Sequence, residues 1–389
     1  MEMRTTLLFE LFRDALGTAS FPQEHLSLLN EDTLRALYAV SKGHDLAQIV
    51  ADTLGKLHLL QGNEVSQKFL KQQMLAVYRY ERMNAAYQKI CAVLEQERIP
   101  YLPLKGSVIR TLYPEPYYRT SCDIDLLVKE EHLETAIRVL SEAIETEKEA
   151  ERAYHDVSLY FKGGVHLELH FSILENIPSM DGVLSRVWEH VSPESEGLSR
   201  QKMTEEFFLF HQIAHAAYHF DKGGCGIRPF LDVFLILQKT NHDEKILTAL
   251  LEEARLSSFY RHFVALARVW FLGEAHTAIT AQMEQYLLGA GVYGSFENRV
   301  VTAAAESRGS YLLKRIFPSF ENLKKTYPKL AKLPILYPFY VIKRWFSIFN
   351  GKKRKRAVNE IKASMALTNE KKDDITALFD TLDLRKQER

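Results

Sequence analysis

From Gln67 to Glu97, apolar or aromatic side chains return every three or four residues: Phe69, Leu70, Met74, Val77, Tyr78, Met83, Tyr87, Ile90 and Leu94. Neither proline nor glycine interrupts them, so this stretch predicts one long helix with an apolar face. IPYLPL at 99–104 ends the pattern, because its two prolines limit helix and favour a short extended segment. Between 98 and 175 the period shortens. IDLLV at 124–128 is strand-like, and Leu133, Ala136, Ile137, Leu140 and Ile144 mark a helix. Residues 154–161 and 165–171 read as two strands joined by Lys162-Gly163-Gly164, a hairpin signal. In the second strand Val165, Leu167, Leu169 and Phe171 share one face, while His166, Glu168 and His170 share the other. After Pro178 the pattern is helical again to about 330, most strongly at 205–220 and 229–237.

A chain with this alternation is α+β, a small mixed-sheet core flanked by N- and C-terminal helical regions. The boundaries fall at 1–97 (helical), 98–175 (the sheet-bearing core), 176–330 (helical) and 331–389 (an aromatic and basic segment with a charged helical tail). At 389 residues the chain can bury a substantial core. Fifty basic and fifty acidic residues cancel, which argues against a global nucleic-acid-binding field and leaves a local basic groove open. Cys91, Cys122 and Cys225 form no CxxC pair, which argues against a disulfide framework or a zinc ribbon and suits a reducing cytoplasm. Charges interrupt the apolar N-terminus, so it is no signal peptide, and no run of about 18 uncharged apolar residues predicts a spanning helix.

Chemistry concentrates at Asp123-Ile124-Asp125. On a strand the two carboxylates point the same way, about 6–7 Å apart at the backbone, while Ile124 faces the core. Two hard oxygen ligands at that spacing suit Mg²⁺, which takes few protein carboxylates and completes its shell with substrate phosphates. Upstream, Lys105-Gly106-Ser107 follows an extended segment and opens a predicted helix at 107–112. A glycine there lets backbone N–H groups approach a phosphate.

Strand, Gly-Ser, helix, DxD strand, then a carboxylate on a later strand: this order resembles the polymerase-β-like nucleotidyltransferase superfamily. Within it, residues 102–128 (LPLKGSVIRTLYPEPYYRTSCDIDLLV) resemble the uncharacterised nucleotidyltransferase family, whose pattern is LKG, a helix, YP, an arginine and DIDLLV. The family's downstream acid followed two residues later by histidine is matched by Glu168 and His170, with Glu in place of the commoner Asp. The resemblance is specific over 102–172 and looser to about 240. It implies transfer of a nucleoside monophosphate from an NTP to an acceptor with release of pyrophosphate. It implies that Asp123, Asp125 and Glu168 hold two Mg²⁺ ions, with Mn²⁺ as the alternative, and that Glu168 draws the acceptor proton. Gly106 and Ser107 would take the β- and γ-phosphates. Lys105, Arg110 and above all Arg119 are candidate phosphate contacts, and His170 would orient Glu168 or touch the nucleotide.

His155 opens the first hairpin strand, where the family often has a histidine. His211, His215 and His219 recur every four residues and form one helical stripe. Two histidines so spaced can bind zinc, but no HExxH glutamate lies between them. A metal-dependent phosphohydrolase using this stripe is therefore one rival reading. A nucleotide-binding or scaffold protein without turnover is another. Arg228 and Asp232 are expected to pair along one helix. Residues 337–356, aromatic and then basic, could meet an anionic membrane or nucleic acid. The acceptor (small molecule, protein or RNA) and the choice of NTP are not encoded in any motif.

Overall fold

The computed structural model describes residues 2–288, 317–320, 323, 327, 330, 333–347 and 369–384. Four helices come first: α1 (Glu2–Leu16), α2 (Glu31–Gly43), α3 (Ala47–Lys56) and α4 (Glu64–Gln96). Asn30 caps α2 by accepting from the Thr33 N–H, and Asn63 caps α4 by accepting from Ser66. The 33 residues of α4 span about 50 Å, so one helix can serve two cores. Val65 and Phe69 pack into the helical body, whereas Met83, Ile90 and Leu94 pack under the sheet. Between these cores, Leu70, Met74, Val77 and Tyr78 are exposed, so the apolar face expected to be continuous is interrupted where α4 crosses from one core to the other.

The main sheet contains β1 (Tyr101–Pro103), β2 (Ile124–Val128), β3 (Glu151–Arg152), β4 (Asp156–Phe161) and β5 (Val165–His170), in the order β1-β2-β5-β4-β3. Only β2 and β5 pair in parallel, which makes the sheet mixed as expected. The hairpin forms with Phe161 opposite Val165, and its loop holds Gly163 and Gly164 at φ of 83° and 70°. Only glycine takes such angles without a Cβ penalty. One sheet face, with Ile124, Leu126, Leu159, Leu167 and Leu169, is covered by α4 and by α6 (Glu130–Ala143). The expected 107–112 helix is α5 (Gly106–Ile109) followed by a 3₁₀ turn at Arg110–Leu112.

Beyond the sheet come α7 (Pro178–Leu184), β6 (Val191–Pro193), β7 (Gln201–Met203), α8 (Glu205–Asp221), α9 (Arg228–Lys239), α10 (Glu244–Glu253), α11 (Ser257–Leu272) and α12 (Ala278–Leu288). The β6–β7 hairpin corrects the all-helical expectation after Pro178. Pro193 and a positive-φ Gly197 break helix there, and the Tyr101 N–H donates to the Ser199 carbonyl beside it. Helices α1–α3 share one core with α8, α9 and α11, shown by Phe9 stacked on Trp270 at 4.8 Å. The aromatic stretch forms α13 (Tyr337–Ser347), and the basic run 351–356 lies outside the described residues. The tail helix α14 (Asn369–Thr381) is docked, with Phe379 against Phe220 and Tyr286.

His44, buried after α2, accepts the Ile227 N–H at 3.4 Å. Burial pushes its imidazole down to about 4, so the fold holds it neutral. The unfolded chain protonates it near 6.5. The resulting stability, on the order of 3 kcal/mol, is present above pH 6.5 and lost as pH falls through about 4. Urea titrations should therefore show the stability difference between wild type and His44→Gln rising with pH across that window. A flat difference refutes this account.

Candidate functional site

The second face of the sheet carries the polar residues. In the parallel pair, Asp125 lies opposite Glu168, so the register that joins β2 to β5 also joins the two acids. Asp123 stands at the bend just before β2. Asp125 is buried, and its Oδ1 lies 3.0 Å from His170 Nε2 and 3.9 Å from Lys105 Nζ. The same His170 nitrogen lies 3.6 Å from Glu168 Oε2. Among the described residues, two groups are spaced as metal ligands, Asp123/His166/Glu168 and Asp125/Glu168/His170, with the offered atoms of each within 4.8 Å. Glu168 belongs to both.

The electrostatics follow from this crowding. Burial, then repulsion by Asp125 and Glu168, pushes Asp123 up to about 6. Burial also disfavours the charge on Asp125, but Lys105 and His170 outweigh it and hold that carboxyl well below the usual range. Glu168 is lowered chiefly by its hydrogen bond with His170. For His170 burial works against the imidazolium, yet Asp125 and Glu168 raise it to about 9.

The turn that leads into α5 places Lys105. Leu104 donates its N–H to the Asp125 carbonyl, which ties the turn to β2, and Ser107 donates back to the Leu104 carbonyl at 3.2 Å. The residue in the left-handed region is Lys105, at φ 42°, and not the glycine after it. A side chain held there costs about 1–3 kcal/mol and is a common mark of a functional turn. Arg110 braces the turn, donating from Nε to the Gly106 carbonyl at 2.7 Å and from Nη2 to Ser121 Oγ at 3.1 Å. Arg119 Nη1 also reaches this point, 3.5 Å from where a Cβ on Gly106 would stand.

Arg119 is anchored elsewhere. Its Nε donates to both Asp232 oxygens, at 2.9 and 3.0 Å, and Tyr113 Oη donates to Asp232 Oδ1 at 2.6 Å. Arg228 pairs with Asp45 instead. The expected Arg228–Asp232 pair along α9 is thus absent, because each of the two residues points to a different neighbouring segment.

The histidine stripe of α8 faces the same region. A cleft of about 190 Å³ is bounded on the sheet side by Lys105, His155 and His170, and on the helix side by His211, His215, Tyr218 and His219. His155 stacks on His170 with centroids 5.5 Å apart. His215 Nδ1 lies 2.7 Å from Oε1 of Glu175, which follows β5, and His215 Nε2 lies 3.1 Å from His219 Nε2. Burial, then Lys105, pushes His211 down to about 4 and His215 well below its ordinary value. The stripe is not among the metal-spaced groups of the described residues. Glu175 is the residue of this site that the sequence does not announce. Nothing local marks it, whereas Asp232 reads as half of a helix pair.

The sequence model of the family described as "Uncharacterised nucleotidyltransferase" matches residues 30–272. The match runs from the start of α2 to the end of α11, so it takes in the sheet, the Lys105 turn and the histidine stripe. No curated protein and no solved structure gives a significant match.

Proposed function

The chain belongs to the uncharacterised nucleotidyltransferase family, and we propose that it transfers a nucleoside monophosphate from an NTP to an acceptor, releasing pyrophosphate, at the Asp123–Asp125–Glu168 cluster. The observation that carries this reading is the parallel β2–β5 register, which sets Asp125 beside Glu168 with Asp123 at the mouth of the strand. The donor set fits a divalent cation. Three carboxylates converge on a half-buried face, and the upward shift of Asp123, set by burial and then by repulsion from Asp125 and Glu168, is a penalty that a cation would relieve. Asp123, Asp125 and Glu168 would hold Mg²⁺, and the same carboxylate oxygens suit Mn²⁺ as well. When bound, such ions would activate the acceptor oxygen and neutralise the departing pyrophosphate, in a polymerase-β-like two-metal scheme.

The remaining work falls to the chain. Lys105, presented by its strained backbone, supplies an ammonium beside the acids for the triphosphate, with Gly106 and Ser107 at the start of α5 as further phosphate contacts. His170 spans Asp125 and Glu168 and fixes both carboxylates. Arg119 completes the phosphate side from its anchor on Asp232. An NTP substrate and three unpaired thiols suit a cytoplasmic setting.

Titration calorimetry with each NTP and Mg²⁺, followed by a pyrophosphate-release assay with cell extract as the acceptor source, tests the reading. Binding with metal-dependent release is expected. Binding without release from any NTP would leave a scaffold, and the enzyme reading would fall.

A further inference from the structure

The acceptor's proton needs a destination, and Glu168 already shares the His170 imidazole with Asp125. Across the cleft stands a second acid–imidazole pair that the metal cluster does not use. We propose that Glu175 and His215 form a carboxylate–imidazole base that takes this proton, and that the acceptor, an alcohol, enters the cleft between the sheet and α8. The inference rests on the nucleotidyl-transfer reading.

Geometry sets the roles. A carboxylate can only accept, so the 2.7 Å contact requires His215 Nδ1 to carry the hydrogen. The lone pair then sits on Nε2. His219 Nε2 lies 3.1 Å from His215 Nε2 and donates to it, so the acceptor O–H takes this contact in place of His219. Lys105 and His170 belong both to the acidic cluster and to the wall of this cleft, so the two halves of the site are contiguous.

Charge supports the same assignment. Burial, Lys105, His219 and His211 disfavour a proton on His215, while Asp125 favours one, so the imidazole rests neutral with Nε2 unprotonated. Triphosphate against Lys105 would offset the ammonium and strengthen the base when the nucleotide is in place. In the step, the acceptor oxygen forms a bond to the α-phosphorus as the bond from that phosphorus to the bridging oxygen breaks. Pyrophosphate leaves with the electron pair, and the hydroxyl proton passes to His215 Nε2 while Glu175 keeps the Nδ1 hydrogen in place.

The test uses the full chain with Mg²⁺, each of the four NTPs, and clarified cell extract as the source of hydroxyl acceptors. His215→Ala should lower kcat for pyrophosphate release about 100-fold while leaving the NTP dissociation constant near the wild-type value. Added imidazole should restore part of the rate, which a packing defect would not allow. Glu175→Gln should also lower kcat and alter its pH profile, because the amide no longer enforces the tautomer. Wild-type kcat in His215→Ala, or a loss that imidazole does not relieve, would overturn the inference alone. Silence of the wild-type protein with every NTP would overturn it together with the nucleotidyl-transfer reading.

Discussion

Asp123→Asn is expected to abolish nucleotidyl transfer and, at the same time, to raise the melting temperature of the metal-free protein. The first effect follows from losing a ligand to the cations. Several kcal/mol of transition-state stabilisation go with it, a rate loss of roughly 10³-fold or more. The second follows from the sign of the shift. Asp123 titrates at about 6 in the fold against 3.8 ordinarily, so the folded state resists its ionisation. That penalty is absent below pH 3.8, grows across the window and is complete above about 6, where it reaches about 3 kcal/mol. Asparagine removes it. Calorimetric melting at pH 7.5 without divalent ions should show the variant above wild type by a few degrees, and Mg²⁺ should stabilise wild type selectively. A variant that melts lower in both conditions, or that still turns over, would defeat the assignment of Asp123 as a ligand.

Asp232→Ala should be the most destabilising single change near the site. Asp232 is buried and receives Arg119 through both oxygens as well as the Tyr113 hydroxyl. Removing it leaves a buried guanidinium without a counter-charge, which costs about 3–5 kcal/mol. Because Arg119 Nη1 lies beside Gly106, the Lys105–Gly106 turn should loosen as well. Pairing the change with Arg119→Met removes the orphaned charge and should recover part of the loss in a double-mutant cycle. Denaturant midpoints measure this directly, and a loss under about 1 kcal/mol would mean the pair is solvated.

Much of this fold was legible because its local signals are strong. The 64–96 helix, the Gly163-Gly164 hairpin, the β2 run and the mixed α+β character all follow from period and turn chemistry. The polar face with His166, Glu168 and His170 was readable from alternation alone, since one β-strand cannot turn half its residues around. What alternation cannot carry is register. That Asp125 meets Glu168, and not His166, depends on how two distant strands slide past one another. Nor could spacing show that His215 would meet Glu175, or that Arg228 and Asp232 would ignore each other for Asp45 and Arg119. A helix period predicts neighbours on its own surface, and here tertiary packing supplied better ones. The left-handed Lys105 was missed for a related reason, because Gly106 beside it is the residue that sequence rules would choose for such a turn.

The two cores differ in how they are drawn from the chain, with consequences for synthesis on the ribosome. The sheet core uses only residues from Met83 to Leu169, a contiguous run that can close as soon as it emerges. The helical body joins Leu7–Phe69 to partners that begin mainly beyond Met203. At typical elongation rates the apolar faces of α1–α3 wait on the order of ten seconds for α8, α9 and α11. During that interval the acids of β2 and β5 can already be in register. Their cleft gains its second wall only when α8 arrives. A nascent chain stalled with residue 175 just clear of the exit tunnel would therefore present a formed acidic face without the histidines opposite it, and a sticky N-terminal segment in want of a chaperone.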